Sequence, residues 1–141
     1  MKKSYANIAL QYGIQWKGRR YSRQNPNASD IPNQALNHAA SAVEGAAAIA
    51  VTATATIPQL GFIHEDSGQS FVLDVSDLFR DTITIPAAFS CASIYEKSTE
   101  TNIERLTRKK VGQMIRKEKL VDQMIGRIKQ LFEKTEKDVG D

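Results

Sequence analysis

The sequence predicts an all-α fold, and three observations carry that prediction. Between Gln113 and about Glu136, Ile115, Leu120, Met124, Ile128 and Leu131 recur with Val121, Ile125 and Phe132 beside them, an apolar stripe of helical period. From Asn33 to about Thr54 the chain is dominated by alanine, the residue that loses least on entering a helix. Near the start, Tyr5, Ile8, Ala9 and Tyr12 recur at three- and four-residue steps. With 141 residues, 41% of them hydrophobic, the chain can bury one modest core, which allows a single domain over 1–141 or a subdomain that leans on a partner.

Taken in order, residues 1–12 read as a helix, and 13–32 as a polar connector with glycines, Arg19-Arg20, Pro26 and Pro32. Asn33 or an earlier polar residue starts the alanine-rich helix, whose small side chains permit close approach by neighbours. Its threonine-rich end and Pro58 stop it, because β-branched residues and the position before proline both disfavour helix. A short extended piece, Leu60 to Ile63, then delivers His64 into a Glu-Asp-Ser-Gly turn.

Ser70 is the expected N-cap of a helix running to about Phe79. Asp81-Thr82 and Pro86 mark a break, after which a helix runs to about Glu96. Residues 33–96 together form the core that carries the metal-site candidates. A basic helix over about 99–110, an interruption at Gly112 and the striped helix to about Glu136 complete the layout, so 97–141 form a basic C-terminal region.

The charges are segregated. Residues 1–30 carry six basic side chains and one acidic, 31–96 one basic and seven acidic, and 97–137 twelve basic and six acidic. An acidic centre between basic flanks suits a metal site bordered by phosphate-binding surfaces, although cationic faces of helices are also commonly just solvated. One cysteine, Cys91, excludes an internal disulfide and a cysteine zinc site. Its setting, Ala-Ala-Phe-Ser-Cys-Ala, favours a packing role, and a reducing, cytoplasmic compartment is expected.

No signal peptide is read at the basic start. The alanine stretch holds His38, Glu44 and threonines, which argues against a membrane span. There is no glycine-rich phosphate loop, nucleophile elbow or Cys-His protease signature. Ser67 and Ser70 read as turn and cap residues.

The chemistry concentrates at His64, Asp74 and Asp77. The two aspartates stand one turn apart on a helix whose neighbouring residues are apolar, so both are expected on one buried side. Paired carboxylates out of water repel each other and lose solvation, which a bound cation offsets. Carboxylates suit magnesium or manganese, and an added imidazole tilts the choice toward manganese or a later transition metal. The plainer alternatives are a solvated acidic face, an ion pair of Asp74 or Asp77 with Arg80, and a loop-capping role for His64.

These residues fall within a recognisable pattern. The segments Tyr12-Gly-Ile-Gln-Trp-Lys-Gly-Arg-Arg-Tyr21, Asn33-Gln-Ala-Leu-Asn-His-Ala-Ala-Ser-Ala-Val-Glu-Gly-Ala-Ala, Gly61-Phe-Ile-His64 and Phe71-Val-Leu-Asp74-Val-Ser-Asp77-Leu-Phe-Arg80 closely resemble the CRISPR-associated adaptation integrase and endonuclease, most of all its subtype I-E branch. The resemblance extends from about residue 4 to residue 95 and more loosely to the end. It implies the family's multi-helix catalytic domain and metal-dependent phosphodiester transesterification or hydrolysis in spacer acquisition. A divalent manganese or magnesium ion would be held by His64 and Asp77, with Asp74 ligating or supporting.

The resemblance further implies DNA as substrate, both spacer precursor and repeat array, a homodimer, and a small companion adaptation protein. Arg80, Arg105, Arg108, Lys109 and Lys110 are the candidate backbone contacts, on charge and proximity in sequence. Asn33, Asn37 and His38 either support the site or bridge neighbouring helices.

The family's N-terminal β-rich domain, and a glutamate ligand just upstream of the Tyr-Gly-Ile-Gln-Trp segment, have no counterpart here. The expectation is therefore a truncated gene product, half of a split protein or an excised piece. Glu44 and Glu65 are the nearest substitutes for the glutamate, each with an ordinary reading as a helix-surface or loop residue. The alternative function is a non-catalytic helical fragment that binds DNA or a partner subunit.

Overall fold

A computed structural model describes residues 2–20, 29–55 and 68–140, with side chains placed in 3–20, 29–55 and 70–133. The helices are α1 (Lys2–Tyr12), α2 (Ile31–Ala55), α3 (Gly68–Asp77), α4 (Ile85–Lys97), α5 (Ile103–Lys117) and α6 (Leu120–Gly140), with a π-helical turn, Arg80–Thr84, leading into α4. No strand occurs among the described residues. No described helix is long and apolar enough to cross a membrane.

α2 is the central element, packing against α3, α4, α5 and α6. Ala35, Ala39, Val43, Ala46, Ala47 and Ala50 form its buried stripe, and these small side chains let four helices approach one axis. Asp30 caps α2: its side chain accepts from the Asn33 backbone N–H at 3.1 Å, and its carbonyl accepts from the Gln34 N–H. α1 ends at Gly13, whose φ of +67° favours glycine. There Ile14 N–H bonds to the Ala9 carbonyl and Gly13 N–H to that of Leu10, so the last carbonyls are satisfied.

Trp16 joins α1 to α4. Its ring lies 5.2 Å from both the Tyr5 and Phe89 rings, stacked on the first and tilted against the second.

Leu120, Met124 and Ile128 of the α6 stripe are fully buried, and Phe132 packs edge-on against Phe71 at 6.4 Å. Leu131 departs from the expected stripe and is half-exposed. Cys91 is buried as expected; its Sγ donates to the Leu106 carbonyl at 3.7 Å, and burial pushes the thiol pKa up.

Three expectations are corrected. Gly112 does not interrupt a helix. α5 runs through it, and the break falls at Glu118-Lys119, where Lys119 takes a φ of +50°. Glycine weakens a helix interior by only about 1 kcal/mol relative to alanine, which burial of Thr107 and Val111 on the same helix outweighs. α3 starts at Gly68, before Ser70. Asp74 and Asp77 are exposed rather than buried, because α3 turns Val75, with Phe71 and Val72, toward the core.

Candidate functional site

α3 ends at Asp77, where the partial negative charge of a helix C-terminus disfavours a carboxylate. The Arg80 guanidinium, one turn on, lies 3.7 Å from the Asp77 carboxylate. The π turn that follows has a local cause. Pro86 has no N–H to donate to the carbonyl one turn back, and its ring crowds that carbonyl. The chain widens instead, with Thr84 N–H bonded to Phe79 O and Ile85 N–H to Arg80 O. Arg80 is thereby turned toward α2, and its Nε is buried without a hydrogen bond.

Opposite this turn stands Glu44, the only charged residue between Ile31 and Ala55. Glu44, Ser76, Asp77, Arg80 and Thr84 line one small cavity of about 50 Å³, floored by Ala40 and Val43. Burial, and then the charge of Asp77, push the Glu44 carboxyl above its ordinary pKa. Two carboxylates on one cavity form an all-oxygen donor set, which suits a hard divalent cation such as magnesium or manganese. Among the described residues no three His, Cys, Asp or Glu side chains converge on one point. His64 and Glu65 lie outside the described residues. Asp74, three residues before Asp77 on α3, is solvent-exposed.

The candidate DNA contacts separate into distinct places. Arg80 belongs to the acidic cleft. Arg105, Arg108 and Lys109 are exposed on α5, and Arg108 donates from Nε to Glu104 at 3.1 Å. Lys110 is half-buried in another cleft, with Tyr12 of α1 and Ser90 of α4.

Asn33 and Asn37 tie the connector to α2. Asn33 is fully buried: its Oδ1 accepts from Arg19 at 2.9 Å and from the Arg20 N–H at 2.8 Å, and its Nδ2 donates to Gly18 O and Asp30. Asn37 Oδ1 accepts from Arg19 at 2.7 Å. His38 lies near Glu104 and Arg108 of α5; burial lowers its pKa, Glu104 opposing the shift and Arg108 adding to it. Sequence reasoning reaches Glu44 only as a substitute ligand and does not join it to Asp77. The signal available is its solitude, one acid in an otherwise uncharged helix.

No family model matches the chain. The chain is 36% identical over 132 residues to a CRISPR-associated endonuclease Cas1 of Clostridium sp. (strain SY8519), covering 94% of this chain and 43% of that protein. It is 33% identical over 132 residues to a Cas1 endonuclease of Thermus thermophilus, covering 94% of this chain and 39% of that protein. The crystal structure of a TtCas1–DNA complex superposes with a TM-score of 0.77 at 35% identity, covering 92% of this chain and 48% of that one.

The chain belongs to the Cas1 endonuclease family. It spans less than half the length of these Cas1 relatives. The part of Cas1 that it matches is built here from helices alone among the described residues, in agreement with the helical domain expected from the sequence.

Proposed function

We propose that this Cas1 chain carries the metal-site half of a CRISPR adaptation nuclease and integrase, acting on DNA phosphodiester bonds. The observation that carries the reading is the placement of Asp77. It closes a helix whose end disfavours it, shares a cavity with Glu44, and is paired only at 3.7 Å with Arg80. An acid whose carboxyl is pushed up by burial and by a neighbouring acid, as that of Glu44 is, is a mark of functional sites. The complex of TtCas1 with DNA supports nucleic acid as the substrate.

In this reading His64 and Asp77 hold a divalent ion, manganese or magnesium, with Asp74 supporting and Glu44 adding an oxygen donor. When bound, such an ion supplies charge stabilisation at a phosphodiester under attack by a 3′-hydroxyl or by water. The chain's own residues do the rest. Arg80 steadies the Asp77 carboxylate, and Arg105, Arg108 and Lys109 hold backbone phosphates without reading sequence. A second copy of the chain and a small companion adaptation protein are the partners that the likeness implies.

The experiment is manganese-dependent cleavage of branched or single-stranded DNA by the purified chain, beside Asp77→Ala and His64→Ala. Cleavage lost in both variants supports the assignment. DNA binding without any cleavage by the parent favours the non-catalytic interaction module instead.

A further inference from the structure

Between α1, α4 and α5 lies a second cleft, of about 340 Å³, within the range of about 300–1,000 Å³ in which small ligands are bound. It shares no lining residue with the acidic cavity. Lys110 and Lys117 line it with Gln113, Ser90 and Tyr12, and Met114 and Pro86 add apolar surface. Glu118 is its one acid.

Two features set the cleft apart from an ordinary solvated face. Lys110 is half-buried in the middle of α5 rather than standing out in solvent. Yet the ion pairs among the described residues are Asp77 with Arg80 and Glu104 with Arg108, and neither cleft lysine takes part in them. Lys117 stands in the last turn of α5, where it also complements the helix end, so Lys110 is the more telling of the two.

The remaining lining points to one class of ligand. A phenol ring and a thioether offer a face for a flat base, while ammonium, hydroxyl and amide groups offer donors for phosphate oxygens. Lys109, exposed one turn before Gln113 on α5, extends the cationic surface outward from the cleft.

We infer that this cleft seats one nucleotide unit of a single-stranded nucleic-acid segment, with its phosphate on Lys110 and Lys117 and its base against Tyr12. The inference rests on the DNA reading above and gives it a binding subsite away from the Glu44–Asp77 cavity.

The test is fluorescence anisotropy of a labelled single-stranded oligonucleotide with the full chain, without divalent metal, over a range of salt concentrations. Lys110→Gln/Lys117→Gln should weaken binding about tenfold and lower the salt slope by about 1.4, the value for two lost contacts to single strands. Lys110→Arg/Lys117→Arg should restore binding, which separates charge from any folding defect. Lys97→Gln/Lys129→Gln, removing two exposed charges elsewhere, should change affinity less than about twofold.

Equal losses in the cleft and control variants overturn the inference, as does failure of the arginine pair to rescue. In competition, a dinucleotide should displace the strand at concentrations where inorganic phosphate does not; displacement by phosphate alone overturns the nucleotide assignment. Asp77→Asn should leave this metal-free binding intact while abolishing cleavage, so the two readings fail separately.

Discussion

The Asp77 carboxylate lies 3.7 Å from the Arg80 guanidinium, across the point where α3 gives way to a π turn. The Asp77 side chain is 62% exposed and that of Arg80 25%, so the pair is screened by water and contributes little to stability. Its value is positional: the turn that Pro86 imposes brings Arg80 back beside the acid that ends α3.

Asp77→Asn is therefore expected to leave stability within about 1 kcal/mol of the parent. Manganese-dependent cleavage should fall by about 100-fold or more, since even groups that only support a metal ligand cost about 10- to 100-fold. Denaturant melts run beside cleavage assays check both halves. Full activity in the variant removes Asp77 from the site.

His38 makes stability depend on pH in a definite direction. Burial holds its folded pKa below the ordinary 6.5. The unfolded chain thus binds the proton more readily, and stability present above about pH 6.5 is lost as pH falls through the folded pKa. Replacing His38 with Gln should flatten the fall in denaturant midpoint between about pH 7.5 and pH 5. Identical pH profiles for parent and variant would contradict this.

Asn33 is expected to be the most sensitive polar residue of the fold. Asn33→Ala leaves the Arg20 N–H and the Gly18 carbonyl without their partner, removes one of the two donors to Asp30, and should cost about 2–3 kcal/mol. Asn33→Asp should be no milder despite its shape, because an oxygen would face Asp30 and Gly18 O where Nδ2 now donates. Chemical unfolding curves give both values.

Gly112→Ala should stabilise the protein by about 0.5–1 kcal/mol, the glycine penalty inside a helix. A Cβ there would meet only Arg116 Nη1, at an ordinary 3.6 Å. A fall in melting temperature would mean that Gly112 is needed for a conformation other than helix.

The helices are legible where local signals agree. Tyr5, Ile8, Ala9 and Tyr12 locate α1, and Leu120, Met124 and Ile128 the buried side of α6. The error at Gly112 has a simple source: a weak local breaker outweighs, in a sequence reading, the burial of Val111 beside it, while nothing in the sequence marks Lys119 for a positive φ. Asp74 and Asp77 do share one side of a helix, but the apolar residues around them do not reveal that the opposite side is the buried one.

By itself the sequence determined the helical class, the alanine-rich axis, the segregation of charge, and the His64, Asp74 and Asp77 pattern that carries the likeness to Cas1. Each of these depends on residue type or on spacing within one helix or motif. Only the tertiary structure decided that Glu44 shares a cavity with Asp77, that Asn33 fastens the connector, and that Lys110 and Lys117 face Tyr12 and Ser90 across a cleft. Those relations join residues far apart in the chain. They are fixed by how closely helices pack around the small side chains of α2, which no local periodicity encodes.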